Sequence, residues 1–274
     1  MASRLGTGRA RPREGQRIAQ LFRQSRGLAD VRCCSLDALL DEDGIELASS
    51  DFPHTGYAAC LLRIPGAPGI MLPKDQTGGR RRFSIAHELG HFHIPSHADV
   101  SGYCREADLH AREGGAASQE WEANDFASEL LMPRRLFTAD ASARDVSIGS
   151  AMALSAPDFY DVSLMAAALR LVQTTREAAA LVVSTNGRIS WTAKSGSFGL
   201  WLPAPKQLVH HDTMAAAGFR RVEVSEQPRP VPITAWVERS RNRGGELLES
   251  TYRIDRLEQI VSLLWHVEGS ADDE

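Results

Sequence analysis

His87 and His91 stand four residues apart in the run Arg82-Phe83-Ser84-Ile85-Ala86-His87-Glu88-Leu89-Gly90-His91-Phe92, where Ile85, Leu89 and Phe92 recur at helical spacing. Residues four apart on a helix lie one turn above another on the same face. The spacing therefore calls for a helix that presents two imidazoles side by side and buries an apolar face. Ser84 or Phe83 is expected to open it, and Pro95 to stop it. Two imidazoles so placed can grip one zinc ion at ~2.0–2.1 Å each. Glu88, next after the first histidine, can take a proton from an attacking water and pass it to a leaving amine.

A catalytic zinc needs a third protein ligand and an open fourth position. His97 completes the spacing H-E-x-x-H-x-x-x-x-x-H of the metzincins, but that class turns on a glycine where this chain has Ile94 followed by Pro95. A β-branched residue fits positive φ badly, so the metzincin turn is not expected. The competing source is a second helix, Gln119 to Met132, with Trp121, Phe126, Leu130 and Leu131 apolar and Pro133 ending it. Glu120 and Glu122 lie near its start, and Glu122, Asp125 and Glu129 share one face. Asp125 would orient a ligand from behind. Tyr103, His93, His97 and His110 are candidates for stabilising the transition state. Cys104, 13 residues past His91, is a remote alternative ligand.

The remainder of the 274 residues is ordinary in bulk, 43% hydrophobic and 24% charged, with a net charge of −4. Nothing in those totals favours nucleic acid or an anionic membrane surface. Cys33, Cys34, Cys60 and Cys104 form no C-x-x-C pair, so reduced thiols in a cytosolic chain are expected. The polar, arginine-rich start has no apolar core behind it, and no run reaches the ~18 apolar residues of a membrane span. The expected location is the cytoplasm.

Residues 1–14 read as a disordered tail. Short helices are expected at Gln16 to Arg23 and at Ser35 to Leu40, the latter capped by Ser35, then a strand at Ile45 to Ala48. The apolar runs Ala58 to Ile64 and Gly69 to Leu72 flank Pro65-Gly66-Ala67-Pro68, a hairpin signal. That hairpin is expected to form the rim on which an extended substrate adds as a further strand. Residues 98–117 read as a surface loop. Residues 134–174 hold two or three short helices, the last capped by Ser163. From Ala179 the texture turns to strands: Ala180 to Ser184 and Arg188 to Thr192 around the hairpin dipeptide Asn186-Gly187, then Arg221 to Val224, Ile233 to Glu238, Leu247 to Arg253 and Gln259 to Val267. A boundary is expected near 176.

Two stretches resemble a known family. Arg82 to His91 is similar to the R-F-[ST]-x-A-H-E-x-x-H signature of ImmA/IrrE-type metallopeptidases. Glu122-Ala123-Asn124-Asp125-Phe126-Ala127-Ser128-Glu129-Leu130-Leu131-Met132-Pro133 resembles their second signature, E-A-N-x-F-A-x-x-L-L-M-P. The resemblance spans about residues 30–175. It implies an α+β chain: a zincin-like metallopeptidase domain at 15–133 with a small sheet, a helix-turn-helix-like module at 134–176, and a β-rich, GAF-like regulatory domain at 177–274. It also implies one Zn2+, or another divalent metal, per chain held by His87, His91 and Glu122, with Glu120 the fallback. The implied partner is a repressor of the XRE helix-turn-helix type, cleaved to release stress-response, DNA-damage-response or mobile-element genes. The alternative is a DNA-binding or repressor-sequestering regulator with a structural metal. The segment Ser163 to Arg170 offers a single basic residue for phosphate, which argues against direct DNA binding.

Overall fold

The computed structural model describes residues 14–51, 57–98, 102–105, 116–237 and 246–267. The expected tail therefore lies outside the described residues except for Glu14. The chain separates into two compact units, residues 1–133 and 134–274.

The first unit opens with α1 (Glu14–Ser25) and α2 (Leu36–Asp43). Ser35 caps α2 by accepting from the Ala38 amide at 3.2 Å, and Gly44 closes it in the left-handed conformation, φ 65°. A four-stranded sheet follows, in the order β1 (Glu46–Ser50), β3 (Gly69–Pro73), β2 (Tyr57–Leu62), β4 (Gly102–Arg105). The expected hairpin forms as β2 and β3, with Cys60 opposite Met71. It is not a rim, however. β3 pairs in parallel with β1, and β2 pairs with β4, so both hairpin strands have their edges filled. Among the described residues the open edges belong to β1 and β4. β4 falls inside the stretch read as a loop, because its pairing comes from β2 and not from any pattern of its own.

Across the sheet lies α3 (Gly78–His93), packed on β2 and β3 and buried along Ile85, Ala86 and Leu89. It begins a turn and a half before Phe83. It ends as expected at Ile94, whose φ of −77° excludes the metzincin turn, and Pro95–His97 then make a 3-10 turn. α4 (Ala116–Leu131) packs between α3 and α1. Both contacts are made by glycine. A Cβ on Gly15 would stand 1.9 Å from the Glu122 carbonyl oxygen, and one on Gly90 would stand 3.1 Å from the Ala123 Cα. Arg23, buried at the end of α1, donates to the carbonyls of Leu130 (2.6 Å), Leu28 (2.5 Å) and Val31, satisfying a guanidinium that burial would otherwise penalise.

The second unit joins three helices to a sheet. α5 (Arg134–Ser142), α6 (Ile148–Ser155) and α7 (Leu164–Thr174) precede β5 (Ala178–Thr185) and β6 (Arg188–Lys194). Ser163 caps α7 by accepting from the Ala166 amide at 3.2 Å. Asn186 and Gly187, at φ 51° and 74°, make the primed turn that the dipeptide predicts. After α8 (Met214–Phe219), β7 (Arg229–Val231) and the single turn α9 (Ile233–Trp236), the long strands β8 (Glu246–Ile254) and β9 (Gln259–Val267) complete an antiparallel sheet in the order β6-β5-β9-β8-β7. Two strand expectations are corrected: Arg221 to Val224 is irregular, and of Ile233 to Glu238 the part Ile233–Trp236 is helical, with Glu238 outside the described residues.

The helices are not separate from this sheet. α7 packs on β5 and β6, α6 packs on β8, and the Ile148 amide donates to Ser250 Oγ at 2.9 Å. A chain cut after residue 176 should therefore expose the faces of α6 and α7 that the sheet covers, whereas a cut after Pro133 passes between units. Soluble yield and calorimetry are expected to show residues 134–274 unfolding in one transition and residues 1–176 prone to aggregate. Cooperative folding of 177–274 alone would show the helices to be dispensable.

Candidate metal centre

The helical spacing of α3 puts His87 and His91 side by side, both fully buried, with their Nε2 atoms 3.1 Å apart. α4 brings Glu120 to them: Oε2 lies 3.0 Å from His87 Nε2, and Oε1 lies 3.4 Å from His91 Nε2. Burial works to raise the Glu120 carboxyl, but the two imidazoles override it and hold the group well below the ordinary carboxylate range.

The outer nitrogens settle which protons the rings carry. His87 Nδ1 lies 3.0 Å from Asn124 Oδ1, and His91 Nδ1 lies 3.1 Å from His97 Nδ1. The Asn124 oxygen accepts, so His87 Nδ1 carries a proton, and with a cation between them its Nε2 lone pair and the Glu120 carboxylate would both turn to the metal. His97 Nε2 in turn lies 3.0 Å from Glu122 Oε2. Burial pushes the His97 imidazole down, against the pull of Glu122.

These separations test whether a cation fits. Four ligands on a tetrahedron with bonds of ~2.0–2.1 Å stand about 3.3 Å apart. The three separations here are 3.0, 3.1 and 3.4 Å. Two imidazole nitrogens and a carboxylate converging at that distance make a donor set that fits a zinc-like divalent ion.

Glu88 is fully buried on α3 and close enough to Cys60 on β2 that its charge adds to burial in pushing that thiol up. Glu122 does not join the two imidazoles. It sits two residues beyond Glu120, roughly 200° round the helix, and its carboxylate goes to His97. The face it was expected to share turns to α1, where Glu129 accepts from Gln16 and Gln20 at 3.3 and 3.1 Å. Asp125 is half-buried, and the hydrogen bond to His87 comes from its neighbour Asn124.

His93 points away from the pair. It bonds Asp43 at 2.8 Å, packs on Phe22 and Phe126, and is lowered in pKa by burial. The side chains of Tyr103 and Cys104, and the whole of His110, lie outside the described residues. Cys33, Cys34 and Cys60 are free thiols.

Asn124 was missed, and Glu120 stood only as the fallback to Glu122. The signal was present in the sequence: Glu120 and Asn124 are four apart, hence on one helical face, as His87 and His91 are. Arg63, after β2, also ties the hairpin to the centre by donating to the carbonyls of His91 (2.6 Å) and His97 (3.3 Å). A second group, His210, His211 and Asp212, lies exposed in the other unit. There the Asp212 amide already engages His210 Nδ1 at 3.3 Å, and the group has none of the buried partners of the first.

Residues 40–172 match the Peptidase M78 family model, described as the IrrE N-terminal-like domain. No curated protein matches the chain. Among solved structures, a Mycobacterium tuberculosis transcriptional regulator aligns with a TM-score of 0.57 at 17% identity, covering 92% of this chain and 76% of that one. At that identity the likeness is one of fold. No helix among the described residues is long and apolar enough to cross a membrane.

Proposed function

We propose, from the match of residues 40–172 to the IrrE N-terminal-like domain of the Peptidase M78 family, that the chain is a cytoplasmic zinc-dependent endopeptidase that cuts a partner protein, a transcriptional repressor of the XRE type. The observation that carries this reading is the convergence of His87, His91 and Glu120 beside the buried Glu88. Zinc held there supplies Lewis acidity toward a substrate carbonyl and lowers the pKa of its water.

The protein's own residues do the rest. Asn124 fixes the His87 ring, and the Glu120 charge balances the cation. The Glu88 carboxylate takes the proton leaving the attacking water and delivers it to the departing amine. Its burial excludes bulk water that would compete for that proton. β4 offers an open strand edge beside β2, the strand that Cys60 places against Glu88, so an extended loop of the substrate adds there by backbone pairing. Such pairing reads main chain, not sequence. Selectivity must come from docking elsewhere, and we assign it to residues 134–274, which would regulate cleavage without taking part in it.

The competing reading, a DNA-binding regulator with a structural metal, draws on the regulator among the structural neighbours. It is weakened by Arg170. This one basic residue of α7 is buried, and phosphate contacts require exposed cations.

The decisive experiment is incubation of the zinc-loaded protein with a candidate XRE-type repressor. One discrete cleavage is expected, with casein a poor substrate. Glu88→Gln should keep its zinc and lose about 10²–10⁴-fold in rate. Undiminished cleavage by that variant, or release of the repressed genes with the repressor intact, would sink the peptidase reading.

A further inference from the structure

We propose that His97 and Glu122 are positioning residues, a carboxylate–imidazole relay that holds the outer proton of His91 and so fixes its inner lone pair on the metal site. The inference rests on the metal reading above, but its logic lies in the protons of this chain alone.

The protons are set from Glu122 inward. Its carboxylate can only accept, so the 3.0 Å contact with His97 Nε2 requires that nitrogen to carry a proton. A neutral His97 then presents a bare Nδ1. That atom lies 3.1 Å from His91 Nδ1, so His91 must be the donor there. With its proton on Nδ1 and a cation in place, His91 would direct its Nε2 lone pair into the space it shares with His87 Nε2 and Glu120, 3.1 and 3.4 Å away.

Without the relay, no other described residue bonds the outer nitrogen of His91 to hold that proton. An imidazole in water prefers its proton on Nε2, which would set an N–H where the ligand lone pair belongs. His91 and His97 are both fully buried, so water does not substitute as acceptor. Asn124 gives His87 the same service directly, in one step where His91 takes two.

The local structure explains why two residues are needed. Pro95–His97 wind into a 3-10 turn just past α3, which swings His97 back under His91. Arg63 holds that turn by bonding the carbonyls of both His91 and His97. Glu122, one face round α4 from Glu120, reaches the far nitrogen of His97 while Glu120 reaches the site itself. The two acids of Glu120-Trp121-Glu122 thus take different tasks, one touching the cation and one acting through two imidazoles.

The test uses the full chain. In metal-free wild type, 15N-resolved imidazole shifts are expected to show His91 protonated on Nδ1. His97→Leu should shift it toward the Nε2–H form and weaken zinc about 10–100-fold in chelator competition. His97→Gln should largely restore both readouts, since its amide oxygen can accept from His91 while its NH2 donates to Glu122. Glu122→Ala removes only the outer end, is partly exposed and should fold normally; it is expected to weaken zinc less than His97→Leu and to loosen the His91 tautomer in the same direction. An unchanged His91 tautomer in both His97→Leu and Glu122→Ala would overturn the relay, whatever the activity. Wild type that binds no zinc but shows the tautomer shifts would instead refute the metal reading and leave the relay standing.

Discussion

Glu120→Ala is expected to leave the purified protein with little zinc, whereas Glu122→Ala keeps most of it. Glu120 is the acid whose two oxygens lie 3.0 and 3.4 Å from the inner nitrogens of His87 and His91, so its loss removes one of three donors and the only negative charge among them. That change should exceed the roughly 10–100-fold that follows from losing a hydrogen-bond partner behind a ligand. Glu120→Gln separates the two contributions. It keeps an oxygen and removes the charge, so it should fall between wild type and alanine. Metal content after dialysis and chelator competition measure all three, with circular dichroism to show that α4 persists. If Glu122→Ala strips the metal and Glu120→Ala does not, the carboxylate at the centre is the wrong one.

The contrast between those two acids shows what the sequence can and cannot reveal about a site. His87, Glu88 and His91 are legible because one helix carries them, and a period of 3.6 states their relative positions without any partner. The third donor comes from another helix, so its identity depends on how α4 is rotated against α3. That rotation is set where Gly90 meets Ala123 and where Gly15 meets the Glu122 backbone, two close approaches that no periodicity announces. The resemblance to E-A-N drew attention to Glu122. The packing turns Glu122 to His97 and leaves Glu120 and Asn124, one turn apart, facing the imidazoles.

The fold divides the same way. Elements marked by local chemistry stand where expected: the Ser35 and Ser163 caps, the Asn186-Gly187 turn, the hairpin of β2 and β3. Elements set by distant partners do not. β4 is a strand because β2 pairs with it. Ile233 to Trp236 carries the residues of a strand, yet it makes a helical turn, since tertiary context decides such short apolar runs. Gly78 to Arg82, with no apolar period, still begins α3. Trp236 ends its turn fully buried with its indole N–H donating 2.9 Å to a carboxylate, that of Glu249, which lies in the middle of β8 and which no motif marks.

Replacing Glu249 should be the most damaging single change in the second unit. Its carboxylate, fully buried, accepts five hydrogen bonds: Oε2 from the Met214 amide and Trp236 Nε1, each at 2.9 Å, and Oε1 from the Ala215 amide at 2.9 Å and the Thr251 and Ser262 hydroxyls at 3.0 Å. One side chain thereby joins the start of α8, the α9 turn and strands β8 and β9. Alanine would orphan three N–H donors that cannot turn elsewhere, each at about 1–3 kcal/mol. Glutamine is the sharper probe. Its NH2 can face the two hydroxyls, which rotate to accept, but it has no lone pair for the Ala215 amide, so about 1–3 kcal/mol is lost even with the shape preserved. A protonated carboxyl avoids this conflict, because its O–H oxygen still accepts from Ala215 while donating to a hydroxyl.

Burial pushes the Glu249 carboxyl above its ordinary value, against the pull of Trp236 and its other donors. With the folded value above the unfolded one, the folded state holds more protons, so stability is full below the ordinary carboxylate range and declines as pH rises through the raised value. The advantage of wild type over Glu249→Gln should therefore widen as pH falls from neutral toward that range, a slope the glutamine variant cannot contribute. Urea denaturation of residues 134–274 followed by tryptophan fluorescence, at several pH values, measures both the offset and the slope. Equal midpoints for wild type and Glu249→Gln at neutral pH would mean that the five contacts do not hold the sheet to α8 and α9.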